Sequence, residues 1–179
     1  MNKLENIRKY TDLKDIFIGD LQECNFVVNP YSKDLFVVDL DSCKISNNVS
    51  QSGRYLTRGA LLNNASHKYT INYDESILAH IIPNQNSDLY CYNIMVLNYL
   101  YGSNMNSVSL VEFYDYLNYL EYIGMDKDLI DCFSRIVSYG DNVNVSQYLD
   151  SLTSENIVRA NKKVYNIVRG RKFNMEMDK

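Results

Sequence analysis

The sequence predicts a mainly α protein with a small β part (α+β): a helical bundle around one buried central helix, preceded by a β-hairpin. Three observations carry that expectation. Two short β-rich runs, Asn25 to Asn29 and Leu35 to Asp39, flank a polar connection that contains a proline. The stretch from Leu89 to Leu100 is apolar on nearly every side. After it, apolar residues recur at helical spacing almost to the C-terminus.

The elements follow in order along the chain. Leu4 and Ile7 lie three apart and predict a short helix up to Leu13. Asn25-Phe-Val-Val-Asn29, Pro30-Tyr-Ser-Lys-Asp34 and Leu35-Phe-Val-Val-Asp39 read as strand, turn and strand. From Ser42 to Gln85 no period persists, which predicts a long loop, with a short helix from Asp74 to Ile82 stopped by Pro83. Leu89 to Leu100 predicts a helix in the middle of the fold, because a helix apolar all round must be covered all round. Leu110, Phe113, Leu117 and Leu120 predict the next helix, capped by Ser107 or Ser109 and stopped by Gly124. Further helices are expected over Leu129 to Val137, ending at Gly140, over Val145 to Leu152, and over Ile157 to Val168. Residues 1–168 then form one domain, and the mixed-charge residues 169–179 a mobile tail.

Composition bounds the function. A chain of 179 residues with 46% hydrophobic and 22% charged residues suits one folded domain. The net charge of -4 gives no overall basic field to attract nucleic acid. Apolar runs are shorter than a membrane span needs and the N-terminus is polar, so a cytoplasmic protein without nucleic-acid or membrane partners is expected. Cys24, Cys43, Cys91 and Cys132 form no C-x-x-C pair and are expected as small buried or half-buried side chains. With His67 and His80 the sole histidines, a His/Cys zinc site is not expected. Arg169, Arg171 and Lys172 read as a solvated helix end.

One constellation carries chemistry. Ile18-Gly-Asp-Leu-Gln-Glu-Cys-Asn25 sets a carboxylate, Asp20, shortly before an amide, Asn25; Asp39 follows 19 residues after Asp20, in Val37-Val-Asp-Leu-Asp41. Each acid taken alone is an ordinary turn former. Together, the hairpin brings Asn25 and Asp39 to the same end of two paired strands. Phosphoryl transfer needs a carboxylate near the attacking hydroxyl and oxygen donors for a metal ion.

These residues resemble the catalytic loop and the Asp-Phe-Gly element of the protein-kinase family. Ser87-Asp-Leu-Tyr-Cys-Tyr-Asn-Ile-Met-Val-Leu-Asn-Tyr-Leu-Tyr-Gly102 is similar to the family's central C-lobe helix, which begins with an Asp that bonds the backbone of the catalytic loop. Taken locally, Asp88 is equally a helix cap. Gly53-Arg-Tyr-Leu-Thr-Arg-Gly-Ala-Leu-Leu62 lies where the family ends its activation segment. The resemblance implies a kinase-like C-lobe over residues 1–168. Asp20 is then catalytic, Asn25 and Asp39 are metal ligands, and Asp88 is the support of the catalytic loop. It also implies magnesium and ATP as cofactors and a protein substrate; it names no further nucleotide-binding residue.

The sequence departs from the family pattern at several points. Ile18 and Gly19 replace the usual His and Arg, Gln22 a Lys, Asp41 a Gly, and Arg58-Gly59 the Pro-Glu anchor; the Arg that pairs with that Glu would fall near Asn144. Losing both ion-pair partners leaves no single buried charge. No Gly-rich loop, strand Lys or helix Glu stands in the 17 residues before Ile18. The N-lobe that covers ATP is therefore expected from an upstream segment or a partner polypeptide.

Two other readings compete. One is a pseudokinase, or kinase remnant, that binds proteins through a tyrosine-rich surface (Tyr90, Tyr92, Tyr99, Tyr114, Tyr116, Tyr119, Tyr122). Ordinary packing and helix edges are the favoured explanation of those tyrosines. The other is a small-molecule kinase of the aminoglycoside or choline type, which Gly19-Asp20 and Asp39-Leu-Asp41 suit.

Overall fold

Burial of one helix organises the protein. In the computed structural model, which describes residues 2–18, 21–41, 43–45, 85–103, 108–139 and 143–177, that helix is α2, Gln85–Tyr101. From Tyr90 to Leu97 every residue is buried, and Tyr92, Leu97, Leu100 and Tyr101 have no exposed surface at all. An all-round apolar helix has no face to offer water, so other elements must close over it. Before it come α1 (Asn2–Leu13), β1 (Ile16–Phe17), a 3-10 turn (Glu23–Asn25), β2 (Phe26–Val28), β3 (Leu35–Val37) and β4 (Lys44–Ile45). After it come α3 (Leu110–Tyr122), α4 (Lys127–Tyr139), a second 3-10 segment (Val145–Ser151), α5 (Ser154–Ala160) and α6 (Lys162–Met177). Helices α1, α4 and α5 and strand β1 all pack on α2. The protein is thus mainly helical, with small antiparallel two-stranded ladders. No helix among the described residues is long and apolar enough to cross a membrane.

Local chemistry explains the helix ends. The Ser109 hydroxyl accepts the Glu112 N–H at 3.2 Å and caps α3. At its other end Gly124 turns left-handed, with φ of 81°. The Met125 N–H then reaches the Leu120 carbonyl and the Gly124 N–H reaches Glu121, a Schellman closure that a residue with a Cβ would strain. Thr153 caps α5 through the Asn156 N–H.

The structure differs from the sequence-based expectation at five places. Val145–Ser151 is a 3-10 segment rather than an α-helix. The helix expected over Ile157 to Val168 is two helices, because Asn161 adopts ψ of 141° and its side chain caps α6 at the Lys163 N–H. Where a tail is expected from Arg169, α6 continues to Met177, and Arg169 meets Asp115 at 3.5 Å. Cys24 is exposed rather than buried. The β1–β4 ladder pairs Ile16 with Ile45 and Phe17 with Lys44, and it was not expected from so short a run. The long loop and the helix expected from Asp74 to Ile82 fall almost entirely outside the described residues, as do Ser107 and Gly140.

Tyrosines do structural work where α3 meets α5 and α6. Tyr116 and Tyr119 donate to the carbonyls of Ala160 and Arg159 at 3.0 and 2.6 Å, satisfying acceptors that the end of α5 leaves open. The rings of Tyr101, Tyr116 and Tyr165 meet edge-on or tilted, with centroids 4.8 to 6.4 Å apart. Tyr99, Tyr114 and Tyr122 instead stand exposed.

A buried ion pair fastens α1. Arg8 donates through Nε and Nη2 to both Glu5 oxygens at 3.1 and 3.0 Å, and through Nη1 to Asp12. The Ser146 hydroxyl, from the second 3-10 segment, also donates to Glu5 at 3.0 Å. The Arg8 guanidinium lies 5.9 Å from the centre of the Tyr92 ring on α2. Burial pushes the Glu5 carboxyl up, but the donors and positive charge of Arg8, with Ser146 and Lys9, outweigh it, so the carboxyl titrates below its usual range.

Two predictions follow from these contacts. Glu5→Gln leaves Arg8 short of its main counter-charge, with an expected cost of about 3 kcal/mol at pH 7 in urea unfolding. Because the folded carboxyl is depressed, its contribution is complete above the unfolded value of 4.5 and is lost as the pH falls through the folded value. The gap between wild type and variant should therefore close under acid conditions; a gap independent of pH would contradict the assignment. Tyr116→Phe leaves the buried Ala160 carbonyl without its donor and should cost about 1–2 kcal/mol. Tyr31→Phe, on a ring that is 93% exposed, should be neutral in the same measurement.

Candidate functional site

The residues on either side of Gly19 and Asp20 are held to α2 at two points. At the front, Asp88 Oδ2 accepts the backbone N–H of Ile18 at 2.7 Å, a buried bond between residues 70 apart in sequence. Asp88 stands in the first turn of α2, where the helix dipole favours an acid, and is 3% exposed. At the back, Asn98 Nδ2 donates to Glu23 Oε1 at 2.8 Å. Asp88 and Asn98 are about 15 Å apart along the helix at 1.5 Å per residue, so both ends of the segment are fixed to one rigid rod. Ile18 and Leu21 add apolar anchors, each 3% exposed within the core cluster. Gly19 and Asp20, between these anchors, lie outside the described residues.

The second half of the site is the β2–β3 hairpin. Its ladder pairs Phe26 with Val37, Val27 with Phe36 and Val28 with Leu35. Alternation puts Phe26 and Val37 against the core and leaves the Val27–Phe36 pair outside, with each residue about half exposed. The turn is closed by Asn29, whose side chain accepts the N–H groups of Tyr31 and Ser32. Lys3 of α1 reaches across to the Lys33 carbonyl and to Asp34 Oδ1 at 2.6 and 3.0 Å.

The ladder runs one step beyond the strands. The Val38 N–H donates to the Asn25 carbonyl at 2.9 Å, which sets Asn25 opposite Val38 and next to Asp39 at the open end of the hairpin. The Asn25 side chain is buried, and its Oδ1 accepts from the Cys24 thiol at 3.4 Å. Asp39 is exposed and has φ of 56°, a left-handed conformation that costs a residue with a Cβ about 1 kcal/mol. Such outliers persist where the surroundings fix them, and they concentrate at functional sites.

The structure therefore brings Asn25 and Asp39 to one end of the hairpin and ties Asp88 to the residue two before Asp20. It gives no geometry for Asp20 itself, and His67, His80 and Arg58-Gly59 also lie outside the described residues. An amide oxygen and a carboxylate are hard donors of the kind magnesium takes, with water completing the octahedron. Among the described residues no group of three or more His, Cys, Asp or Glu could hold a metal ion. No disulfide joins any of the four cysteines.

Two supports were not foreseen: the Asn98–Glu23 bond and the Ile18/Leu21 anchors. A signal for the first was present, since Asn93 and Asn98 are the only amides in an otherwise apolar stretch and a buried amide needs a partner. Replacing Asp88 by Ala should leave the Ile18 N–H buried without its acceptor and cost about 2–3 kcal/mol. Asp88→Asn keeps an oxygen acceptor and should recover at least half of that. Amide exchange at Ile18 reads the bond directly: it should accelerate in the Ala variant, and unchanged protection would contradict this role.

The chain matches no protein-family profile and no curated protein sequence.

Proposed function

We propose that this chain is the helical, catalytic-loop-bearing lobe of a protein-kinase-like phosphotransferase. The observation that supports it most is the pair of constraints meeting at one place: the buried Asp88–Ile18 bond, which ties down the segment leading into Asp20, and the hairpin register, which sets Asn25 beside Asp39. Neither is needed for a generic helical domain. Together they fix the residue two before Asp20 and bring two oxygen-bearing side chains to one end of the hairpin.

In this reading Asp20 accepts a hydrogen bond from the acceptor hydroxyl and orients it toward the phosphoryl group. Asn25 and Asp39 hold magnesium, which when bound neutralises charge on the ATP phosphates. The left-handed turn at Asp39 keeps its carboxylate at the ladder end before any ligand arrives, which lowers the ordering cost of binding. The exposed Val27–Phe36 pair offers an apolar floor beside these ligands, suited to a flat base. The acceptor is a protein hydroxyl, and a segment bearing an N-lobe, upstream or on a partner, covers the nucleotide.

A binding module is the second reading. The half-exposed Val27, Phe36 and Leu40 favour it, since an uncovered apolar hairpin face suits a protein surface as well as a nucleotide.

Nucleotide binding separates the two. Titrating the full chain with a fluorescent ATP analogue should give magnesium-dependent binding, weakened about tenfold or more by Asp39→Asn and by Asn25→Ala. Asp20→Asn should bind nucleotide normally but transfer phosphate about 100-fold more slowly once the N-lobe is supplied. Binding that ignores magnesium, or that survives Asp39→Asn unchanged, sinks the phosphotransferase reading.

A further inference from the structure

Strand β2 has an open edge. The bonds from the Asn29 N–H to the Asp34 carbonyl and from the Val38 N–H to the Asn25 carbonyl mark two hydrogen-bonded pairs of the hairpin. In an antiparallel ladder such pairs alternate with pairs whose N–H and C=O groups point away from the partner strand. The register of Phe26 with Val37, Val27 with Phe36 and Val28 with Leu35 makes Phe26 and Val28 the residues whose backbone faces away from β3. The Phe26 N–H is taken by the Glu23 carbonyl. The Phe26 carbonyl and both backbone groups of Val28 have no partner among the described residues, where no third strand joins the ladder. Val28 is also 53% exposed.

The same two residues wall a groove of about 510 Å³, together with Leu4 of α1 and Met95, Val96 and Tyr99 of α2. A strand laid along β2 alternates its side chains, so every second residue stands on the face of Phe26 and Val28 and enters this apolar space. The open edge offers main-chain bonds and the groove offers side-chain contact, the two requirements of strand addition. The added strand would also complete a two-stranded element that is marginal by itself.

The two ends of the groove carry opposite charge. Glu23 lines it at the foot of the hairpin, and its bond to the neutral Asn98 amide does not cancel that charge. Lys3 and Lys33 line it at the turn, where they outnumber Asp34 by one. From Asn25 at the foot to Asn29 at the turn the strand rises about 14 Å, the reach of five extended residues. A segment antiparallel to β2, the more stable arrangement, enters at the turn and leaves at the foot. It meets opposite charge at both ends if it opens with an acid and closes with a base. We propose that the open edge of β2 accepts an extended segment of a partner polypeptide, antiparallel to β2, with the pattern acid, apolar, polar, apolar, base. Nothing in this assignment depends on the phosphotransferase reading.

The probe is the peptide acetyl-Glu-Leu-Thr-Leu-Lys-amide, and acetyl-Lys-Leu-Thr-Leu-Glu-amide is the same composition with its charges exchanged. Added to the full chain, the first should shift the Val28 amide resonance saturably and slow its hydrogen exchange. The Val27 N–H, already turned toward Phe36, should keep the protection it has. The second peptide should bind about tenfold more weakly. Lys33→Glu, on an exposed turn, makes both ends of the groove negative and should erase that preference without changing Tm. In the bound strand the two leucines face Phe26 and Val28, so N-methylating both should abolish binding, whereas N-methylating the threonine should not. Equal binding of the two peptides, a preference that survives Lys33→Glu, or tolerance of the N-methyl leucines overturns the proposal. So does a Val28 amide that is unmoved by the peptide, or one already protected before it is added, which would mean that this chain or a second copy covers the edge.

Discussion

Two buried polar residues of α2, Asp88 and Asn93, together with the half-buried Asn98, organise the fold around them. A carboxylate or amide taken out of water must find partners, or its burial costs several kcal/mol. On α2 each finds them in a different segment. Asp88 bonds the Ile18 N–H, just after β1. Asn93, fully buried, donates to the Val143 carbonyl and accepts from the Val145 N–H, fixing the start of the second 3-10 segment. Asn98 holds Glu23 at the foot of the hairpin. Apolar burial brings the surrounding elements onto α2, but it does not say where they stop sliding. The three polar contacts set the register. Hydrophobic packing supplies most of the stability here, and the polar groups supply most of the specificity.

That division explains why the candidate site is rigid although its parts are small. A two-stranded hairpin is marginal by itself. Here its inner face rests on the core, Lys3 clamps its turn to α1, and the Glu23–Asn98 bond anchors its lower end. With the hairpin immobilised on three sides, the Val38–Asn25 bond can hold Asp39 in a left-handed turn that an unsupported loop would relax. The strain at Asp39 is thus maintained by contacts that lie away from it.

Much of this was legible in the sequence, for reasons that differ by element. The hairpin was legible because short runs rich in Val and Phe stand on both sides of the polar, proline-bearing connection Asn29 to Asp34. Helix α2 was legible because no amphipathic period can describe Leu89 to Leu100. Ser109 and Gly124 were legible because caps act within one turn of themselves. The break at Asn161 was not, since the apolar spacing from Ile157 to Val168 passes through it unchanged. A 3-10 segment over Val145–Ser151 shares its spacing with an α-helix, and a two-residue strand such as β1 has no periodicity to read. At the site, Asn25 and Asp39 were legible as neighbours because the register follows from the hairpin. Asp88 by itself reads as a helix cap; its partner 70 residues away is a matter of tertiary packing that no local pattern encodes.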